Sequence, residues 1–262
     1  MSLPPPCPRG TALITGASSG IGAAMAHALA SRGYGTTLVA RDGDRLRRIA
    51  DELREHGARV ETVEADLTSR ADRAELQARV RRTGLAVDIL VNGAGAATRG
   101  SIAECDLDAE LGHLELNVVS VVDLCRTFVD GMIARNSGAI LNIASTAAFK
   151  PMGGQGTYAA SKAFVLSFTR TLRLELQETA VTVTALCPGP VPTDFDRRAG
   201  FTAEEIAAIP PIMWRSAEDV AAVALDALER GAELCIPGRA NVADATMSLL
   251  KAKRQASQAV SR

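Results

Sequence analysis

Ser145, Tyr158 and Lys162 are the residues whose types and spacing could do chemistry. Tyr158 and Lys162 are four positions apart, so a helix would place both side chains on one face. A phenol normally titrates near ~10, and a nearby cation favours its phenolate. The pair could therefore relay a proton to or from an oxygen near neutral pH. A surface lysine packed along a helical tyrosine has the same spacing, so the surrounding elements must decide between the two interpretations.

The elements around these three residues direct them towards one point. Residues 139–144 form an apolar, strand-like run that leads to Ser145, and the proline and glycines of residues 151–156 indicate a loop. A helical pattern follows from about Tyr158 to Glu178. A serine at the end of a strand and a tyrosine at the start of the next helix can then face the same small volume.

A glycine-rich turn near the beginning of the chain is the second candidate site. It follows the apolar run 11–15 and precedes a helix-forming segment. Glycines in this order allow a tight exit from the strand, close approach of the backbone to a phosphate, and tight helix packing. The helix N-terminus offers free N–H groups to an anion, although an ordinary tight turn can share the glycine pattern. The predicted dinucleotide-binding residues here are Gly16, Ser18, Ser19, Gly20, Ile21 and Gly22.

The end of the second predicted strand, residues 35–40, indicates which dinucleotide is bound. Such folds usually present an acidic residue there for the ribose 2′-hydroxyl, whereas this chain has Ala40 followed by Arg41. A guanidinium suits a 2′-phosphate, and the hydroxyls of Ser18 and Ser19 could add contacts. With Asp66 the only acidic residue expected nearby, the sequence predicts NADP(H), with NAD(H) less favoured. The alternative is a solvated surface arginine.

Strand and helix patterns alternate along the chain, which predicts βαβ units. We therefore expect an α/β fold with a doubly wound parallel sheet, helices on both faces, and a ligand site at the carboxyl ends of the strands. A fourth strand, 87–91, leads to Asn92, Gly93, Ala94 and Gly95, which are small enough for close approach of a ligand. A long helix is expected over 108–136, and Asn117 on its apolar stripe is either a satisfied core asparagine or a site residue.

The expected organisation is one domain over residues 11–240, a loose leader at 1–10 and a helical, then polar, tail at 241–262. A substrate lid is expected at about 194–214, with one short helical piece that Thr202 and Glu205 would cap.

Composition excludes several classes of function. The 262-residue chain has a net charge of -1 and only 3% aromatic residues, so nucleic acid is not an expected partner. The five cysteines are widely spaced, which argues against disulfides and metal sites and favours a cytoplasmic location. The sequence holds no apolar run near the ~20 residues that a membrane helix needs, so no membrane partner is expected.

Several motifs occur together and in a fixed order. They are Thr15-Gly16-x-x-x-Gly20-x-Gly22, Asn92-Gly93-Ala94-Gly95, Asn117, Ser145, Tyr158-x-x-x-Lys162 and Pro188-Gly189. In this combination the chain resembles the short-chain dehydrogenase/reductases in their single-domain form, over about residues 11–236. The resemblance implies a Rossmann-type fold of about seven parallel strands, a nicotinamide cofactor, and hydride transfer between that cofactor and a carbonyl or alcohol.

The resemblance also implies roles for individual residues. Tyr158 would be the general acid or base, Ser145 would bind the substrate oxygen, and Lys162 would lower the tyrosine pKa and hold the nicotinamide ribose. Asn117 would anchor a water in a proton relay. The remaining cofactor contacts would come from Asp66 and Leu67 at the adenine, Asn92 to Gly95 at the adjoining ribose, and Pro188, Gly189, Val191 and Thr193 near the nicotinamide. The chain departs from the family in one place, since Gly93 replaces the usual second asparagine.

The expected substrate is a small to medium apolar ketone or secondary alcohol, because the lid carries Phe195, Phe201, Ile212, Met213 and Trp214. Two other functions share these features: a non-catalytic dinucleotide sensor or scaffold, and an epimerase or dehydratase, which usually needs a larger C-terminal region. A homodimer or homotetramer is also expected, because the outer face of the Tyr158 helix would carry Phe164, Phe168 or Leu172.

Overall fold

Seven parallel strands run through the middle of the structure, which is a computed structural model and describes residues 3–260. The strands are β1 (Gly10–Thr15), β2 (Thr36–Ala40), β3 (Val60–Glu64), β4 (Ala86–Asn92), β5 (Gly138–Ile143), β6 (Val181–Leu186) and β7 (Leu234–Cys235). Their order in the sheet is β3-β2-β1-β4-β5-β6-β7. The order reverses between β1 and β4, so the carboxyl ends of these two strands border a crevice where ligands bind in folds of this kind.

Helices cover both faces of the sheet. They are α1 (Gly20–Ala30), α2 (Gly43–Glu55), α3 (Arg70–Thr83), α4 (Leu107–Leu114), α5 (Ser120–Ala134), α6 (Gly156–Glu175), α7 (Asp194–Arg198), α8 (Ala203–Ala207), α9 (Ala217–Glu229) and α10 (Arg239–Val260). One apolar core packs α1, α2 and α9 against the sheet, and a second packs α3, α5 and α6 against the opposite face. The doubly wound α/β fold predicted from the sequence is confirmed.

The inner strands β1, β4 and β5 are largely apolar on both sides because each side faces a core, whereas the edge strand β3 alternates with glutamates. In β1, for example, Leu13 belongs to one core and Ile14 to the other, and both are completely buried. A strand covered on both faces has no polar alternation, which is why the sequence shows short continuous apolar runs. The carboxyl ends of these runs are thereby fixed in place, and the candidate site residues lie just beyond them.

The long helix expected over residues 108–136 is interrupted. Between α4 and α5 the chain makes one turn of π-helix, Glu115–Val119, and Asn117 lies in it. Such single π turns are frequent at functional sites. The apolar periodicity continues across the turn, so the sequence pattern could not reveal it. The other long helix, α6, also begins slightly earlier and ends earlier than expected.

The first residues of the chain are attached to the body. Leu3 is buried in one of the two cores, and the Tyr34 hydroxyl donates to the carbonyl of Pro4 over 2.7 Å. Leu3 and Pro4 are thus anchored, whereas residues 5–9 are exposed, so the leader expected over residues 1–10 stays a prediction; residues 1 and 2 lie outside the described part. At the other end the expected tail forms α10, and residues 261 and 262 lie outside the described part. Within residues 3–260 no helix has the length and apolar character needed to cross a membrane.

The segment expected to be a lid contains more regular structure than its sequence suggested. Thr202 and Glu205 form a capping box at the start of α8, as predicted. The helix α7 before it was not predicted; Thr193 begins it by accepting a hydrogen bond from the N–H of Phe195. A 3₁₀ turn, Pro211–Met213, completes the segment. Part of the segment lines a cavity together with residues from the carboxyl ends of the strands.

Candidate active site

A cavity of about 810 Å³ lies between the carboxyl ends of the strands and the segment 194–214. Most of the site residues predicted from the sequence line it: Gly16, Ser18, Ser19, Gly20, Ile21, Gly22, Arg41, Leu67, Gly93, Ala94, Gly95, Ser145, Tyr158, Lys162, Pro188, Gly189, Val191 and Thr193. Asp66, Asn92 and Asn117 are not on its wall. We call the part formed by the strand ends and the glycine-rich turn the floor, and the segment 194–214 the lid.

The glycine-rich turn is shaped by backbone contacts that exclude side chains. Gly16 and Gly20 have φ angles of 68° and 54°, which L residues rarely adopt. A Cβ on Gly16 would lie 2.7 Å from the carbonyl oxygen of Gly93, and one on Gly22 would overlap the Gly16 carbonyl. Ser19 precedes α1, but its side chain does not cap the helix. The turn therefore leaves an open, N–H-rich surface that fits a phosphate group.

Thr15 joins the ends of β1 and β4. Its hydroxyl accepts hydrogen bonds from the N–H groups of Gly93 and Ala94, over 3.0 and 3.1 Å. A Cβ on Gly93 would lie 2.7 Å from the carbonyl oxygen of Thr15. In this backbone arrangement the family's usual asparagine has no room, and the Thr15 hydroxyl holds the loop in place.

Ser145, Tyr158 and Lys162 converge at the centre of the cavity. Ser145 follows β5 and accepts a hydrogen bond from the N–H of Ala147 over 3.1 Å, which fixes its rotamer. Lys162 is buried and donates to the carbonyl of Ile143 over 2.9 Å. Its Nζ lies 5.8 Å from the centre of the Tyr158 ring. The strand-end serine and the two helix residues thus share one volume.

Burial dominates the acid–base properties of this cluster. Mainly through burial, with smaller contributions from Asp196 and Cys187 and against a hydrogen bond with Ser145 that lowers it, the pKa of Tyr158 is raised to about 12. Burial lowers the pKa of Lys162 to about 8. Tyr158 is therefore a neutral phenol at neutral pH, the form that donates a proton. The lowering of the Tyr158 pKa by the Lys162 ammonium, which the resemblance implies, stays a prediction.

Asn117 is a satisfied core asparagine that lies beside the site. Its Nδ2 donates to the Ala96 carbonyl over 2.8 Å and to the Ser161 hydroxyl over 3.1 Å, while its Oδ1 accepts from the Ala96 N–H over 3.0 Å. A Cβ on Gly95 would lie 3.3 Å from this Oδ1 and 3.4 Å from the Nζ of Lys162. Asn117 thus fastens the loop after β4 to α6 next to Lys162.

Two residues predicted as cofactor contacts are not on the cavity wall and bind protein groups. The Asn92 side chain is buried and donates to the Asn142 side chain over 2.8 Å, so it links β4 to β5 inside the sheet. The Asp66 carboxylate accepts from the N–H and the hydroxyl of Thr68, over 3.0 and 2.9 Å. Both side chains stabilise the loops that carry the wall residues Gly93 and Leu67. The sequence shows polar residues at strand ends but not which way they turn.

Several wall residues were not found from the sequence. Asp42 lines the cavity beside Arg41, so Asp66 is not the only acidic residue in this region. Lys150, Met152 and Gln155 come from the loop before α6, and Asp196, Arg198 and Glu205 from the lid. Their position in a predicted loop and a predicted lid was the only available signal. Of the apolar lid residues, Phe195, Phe201 and Met213 line the cavity, whereas Ile212 is 71% exposed and Trp214 is not on the wall.

Comparisons with known proteins place the chain in a family. The family described as short chain dehydrogenase matches residues 10–202. The putative ketoacyl reductase 1 of the granaticin polyketide synthase of Streptomyces violaceoruber is 42% identical over 190 residues, which are 71% of this chain and 70% of that protein. The chain therefore belongs to the short-chain dehydrogenases and is an oxidoreductase of that family, whose enzymes act on small molecules.

Solved structures agree with the observed fold. A short-chain dehydrogenase from Sphingobium yanoikuyae in complex with NADPH has a TM-score of 0.83 and 35% identity, with 95% of both chains covered. A short-chain dehydrogenase/reductase from Burkholderia phymatum in complex with NAD has a TM-score of 0.84 and 28% identity, with 94% of this chain and 95% of that chain covered. The relatives thus bind nicotinamide dinucleotides of both kinds.

Proposed function

We propose that the protein is an NADP(H)-dependent carbonyl reductase that interconverts a small to medium apolar ketone and a secondary alcohol. The observation that carries the proposal is the neutral phenol of Tyr158 on the cavity wall, beside Ser145 and the buried Lys162. A neutral phenol in a partly enclosed site is a general acid for a carbonyl oxygen that gains negative charge.

The roles of the residues follow from their positions. The dinucleotide, when bound, supplies the hydride. Ser145, held by the Ala147 N–H, binds the substrate oxygen, and Tyr158 donates the proton to it. Lys162 binds the nicotinamide ribose, and Asn117 positions Lys162 and the loop after β4. In the reverse direction Tyr158, as the phenolate, would accept the proton of the alcohol.

The glycine-rich turn fits the phosphates of the dinucleotide. Its N–H surface is open because the backbone leaves no space for a Cβ at Gly16 and Gly22. Leu67 would contact the adenine, the loop after β4 the neighbouring ribose, and Val191 and Thr193 the nicotinamide. All of these residues line the same cavity.

The preference for NADP(H) depends on the arginines around β2. Arg41 forms no hydrogen bond or ion pair with any described residue, whereas Arg45 pairs with Asp42 and Asp194. The Asp42 carboxylate also accepts from the N–H of Arg45, so it is engaged in capping α2. Arg198 from the lid adds a guanidinium 3.3 Å from the Ser19 hydroxyl. A free guanidinium at the ribose position favours a 2′-phosphate.

The test is consumption of NADPH with a panel of aryl and alkyl ketones, compared between the wild type and Tyr158→Phe. The proposal expects turnover by the wild type and loss of turnover in the variant, with NADPH still bound. Binding of NADPH without turnover of any ketone by the wild type would instead support a dinucleotide-binding scaffold.

We also propose a homodimer or homotetramer. Phe164 on α6 is 43% exposed and stacks on Phe168, with ring centres 6.0 Å apart. Leu172, one of the residues expected on this outer face, is buried instead and packs in the core. The exposed apolar surface is therefore smaller than expected, and light scattering at micromolar concentration tests the proposal. The cytoplasmic location stays a prediction.

A further inference from the structure

Asp196 is an acidic side chain on the cavity wall that nothing in the described chain neutralises. It lies in α7, is half-buried, and makes no side-chain hydrogen bond or ion pair with any described residue. It is near the reacting centre, because its charge acts on the phenol of Tyr158 and the neighbouring Phe195 ring lies 5.6 Å from the Tyr158 ring. Burial without a partner is costly for a carboxylate.

Gln155 is a second polar side chain without a partner in the same cavity. It is only 4% exposed and immediately precedes α6, three positions before Tyr158, yet its amide makes no side-chain hydrogen bond with any described residue. Its amide atoms are open to the cavity, so they are available, as the Asp196 carboxylate is, to hydrogen-bond with a molecule bound there.

The other charged side chains around this end of the cavity are already engaged. Lys150 pairs with Asp244 over 2.5 Å, and Glu205 pairs with Arg99. Lys162 donates to the Ile143 carbonyl. Asp196 is therefore the one carboxylate on the cavity wall that has no side-chain hydrogen bond or ion pair with any described residue, which leaves it available to a bound molecule.

We propose that Asp196 and Gln155 are specificity-determining residues that select carbonyl substrates bearing a hydrogen-bond donor, a hydroxyl or an ammonium group, beside the reacting carbonyl, and reject substrates bearing a carboxylate. This inference rests on the proposed function and narrows its substrate class to ketones that carry such a donor on an otherwise apolar skeleton. The hydroxyl or ammonium group donates a hydrogen bond to the Asp196 carboxylate. The Gln155 amide can donate a second hydrogen bond to the substrate or accept one from it. A carboxylate would meet a like charge and lose its hydration.

The experiment uses four phenyl ketones with one skeleton, in which the second substituent of the carbonyl is hydroxymethyl, aminomethyl, ethyl or carboxylate. For each we measure kcat/KM with saturating NADPH. The wild type should reduce the hydroxymethyl and aminomethyl ketones about 10-fold or more faster than the ethyl ketone, because hydrogen bonds to a charged group are the strong ones. The carboxylate ketone should be the slowest.

Asp196→Asn should lower the ratio of kcat/KM for the aminomethyl ketone to that for the ethyl ketone about 10-fold, and raise the same ratio for the carboxylate ketone. Gln155→Leu should lower this ratio for the hydroxymethyl and aminomethyl ketones. The matched control is Glu204→Gln, which removes the same charge from the adjacent lid helix at an exposed position off the cavity wall. It should leave the ranking unchanged.

The outcomes separate this inference from the proposed function. If the ethyl ketone is reduced but Asp196→Asn leaves the ranking of the four ketones unchanged, the inference is overturned and the reductase stands. If Asp196→Asn weakens NADPH binding and slows all four ketones equally, Asp196 acts on the cofactor and the inference is also overturned. If no ketone is reduced by any form that binds NADPH, the proposed function itself fails.

Discussion

The floor and the lid of the cavity are built by different means. In the floor the shape comes from the backbone: glycines with positive φ, a Thr15 hydroxyl that joins β1 to β4, and distances that exclude a Cβ. In the lid the shape comes from contacts between side chains. Glu205 on α8 pairs with Arg99 in the loop after β4, and Asp194 on α7 pairs with Arg45 on α2. The floor should therefore tolerate few substitutions, whereas the lid can accept substitutions that change the substrate.

The largest effect should come from the catalytic centre between the two regions. Tyr158→Phe should lower kcat by roughly 10²–10⁴-fold, because it removes the general acid, and it should leave the Kd for NADPH nearly unchanged. The matched control is Tyr34→Phe, since Tyr34 is the other tyrosine of the chain and its hydroxyl bonds to Pro4 on the far side of the core. Tyr34→Phe should keep wild-type kcat. Equal kcat values in the two variants would show that Tyr158 is not the general acid.

The next effect concerns the charge at the edge of the floor. A net gain of ~2–3 kcal/mol from the guanidinium would favour NADPH over NADH roughly 30- to 150-fold. Arg41→Asp should reverse this preference, because the new carboxylate repels the 2′-phosphate and accepts from a 2′-hydroxyl. The control is Arg48→Asp, which makes the same charge change on α2 away from the cavity wall.

Kd values for both cofactors at fixed ionic strength decide this prediction. If the wild type binds NADH and NADPH equally well, Arg41 does not contact the 2′-phosphate. Asp42 beside it would then be the better candidate to accept a hydrogen bond from the ribose 2′-hydroxyl.

A smaller effect should appear in the pH profile. The pKa of Lys162 is lowered to about 8, so the ammonium is present below that pH and is lost as the pH rises through it. Because kcat/KM for NADPH reports groups of the free enzyme, it should fall about tenfold per pH unit above about pH 8. A profile that stays flat for a full unit above that value would contradict the proposed role of the Lys162 charge.

The smallest effect compares the tolerance of the two regions directly. Gly93→Ala places a Cβ against the Thr15 carbonyl and should destabilise the protein by about 1–3 kcal/mol. Ile212→Ala removes a larger group from an exposed position of the lid and should change stability by less than about 0.5 kcal/mol. Midpoints of urea unfolding for both variants give the comparison, and a neutral Gly93→Ala would show that the floor can relax.

The same contrast explains what the sequence could predict. Gly16, Gly20 and Gly22 were recognisable because backbone geometry demands glycine, and Tyr158 and Lys162 because helical spacing puts them on one face. The direction of a side chain at a strand end is set by tertiary contacts, so Asn92 and Asp66 were expected on the wall although both bind protein groups. The lid residues Asp196 and Arg198 follow no periodicity, and only the structure shows that they line the cavity.

The most direct test of the central claim follows the hydride itself. NADPH carrying deuterium at the transferable position of the nicotinamide is incubated with the enzyme and a reducible ketone, and the product alcohol is analysed by mass spectrometry. The account predicts that the deuterium appears on the carbinol carbon of the product, and that the Tyr158→Phe variant forms almost no labelled alcohol. An alcohol product without deuterium, or labelled alcohol formed equally fast by the variant, would contradict it.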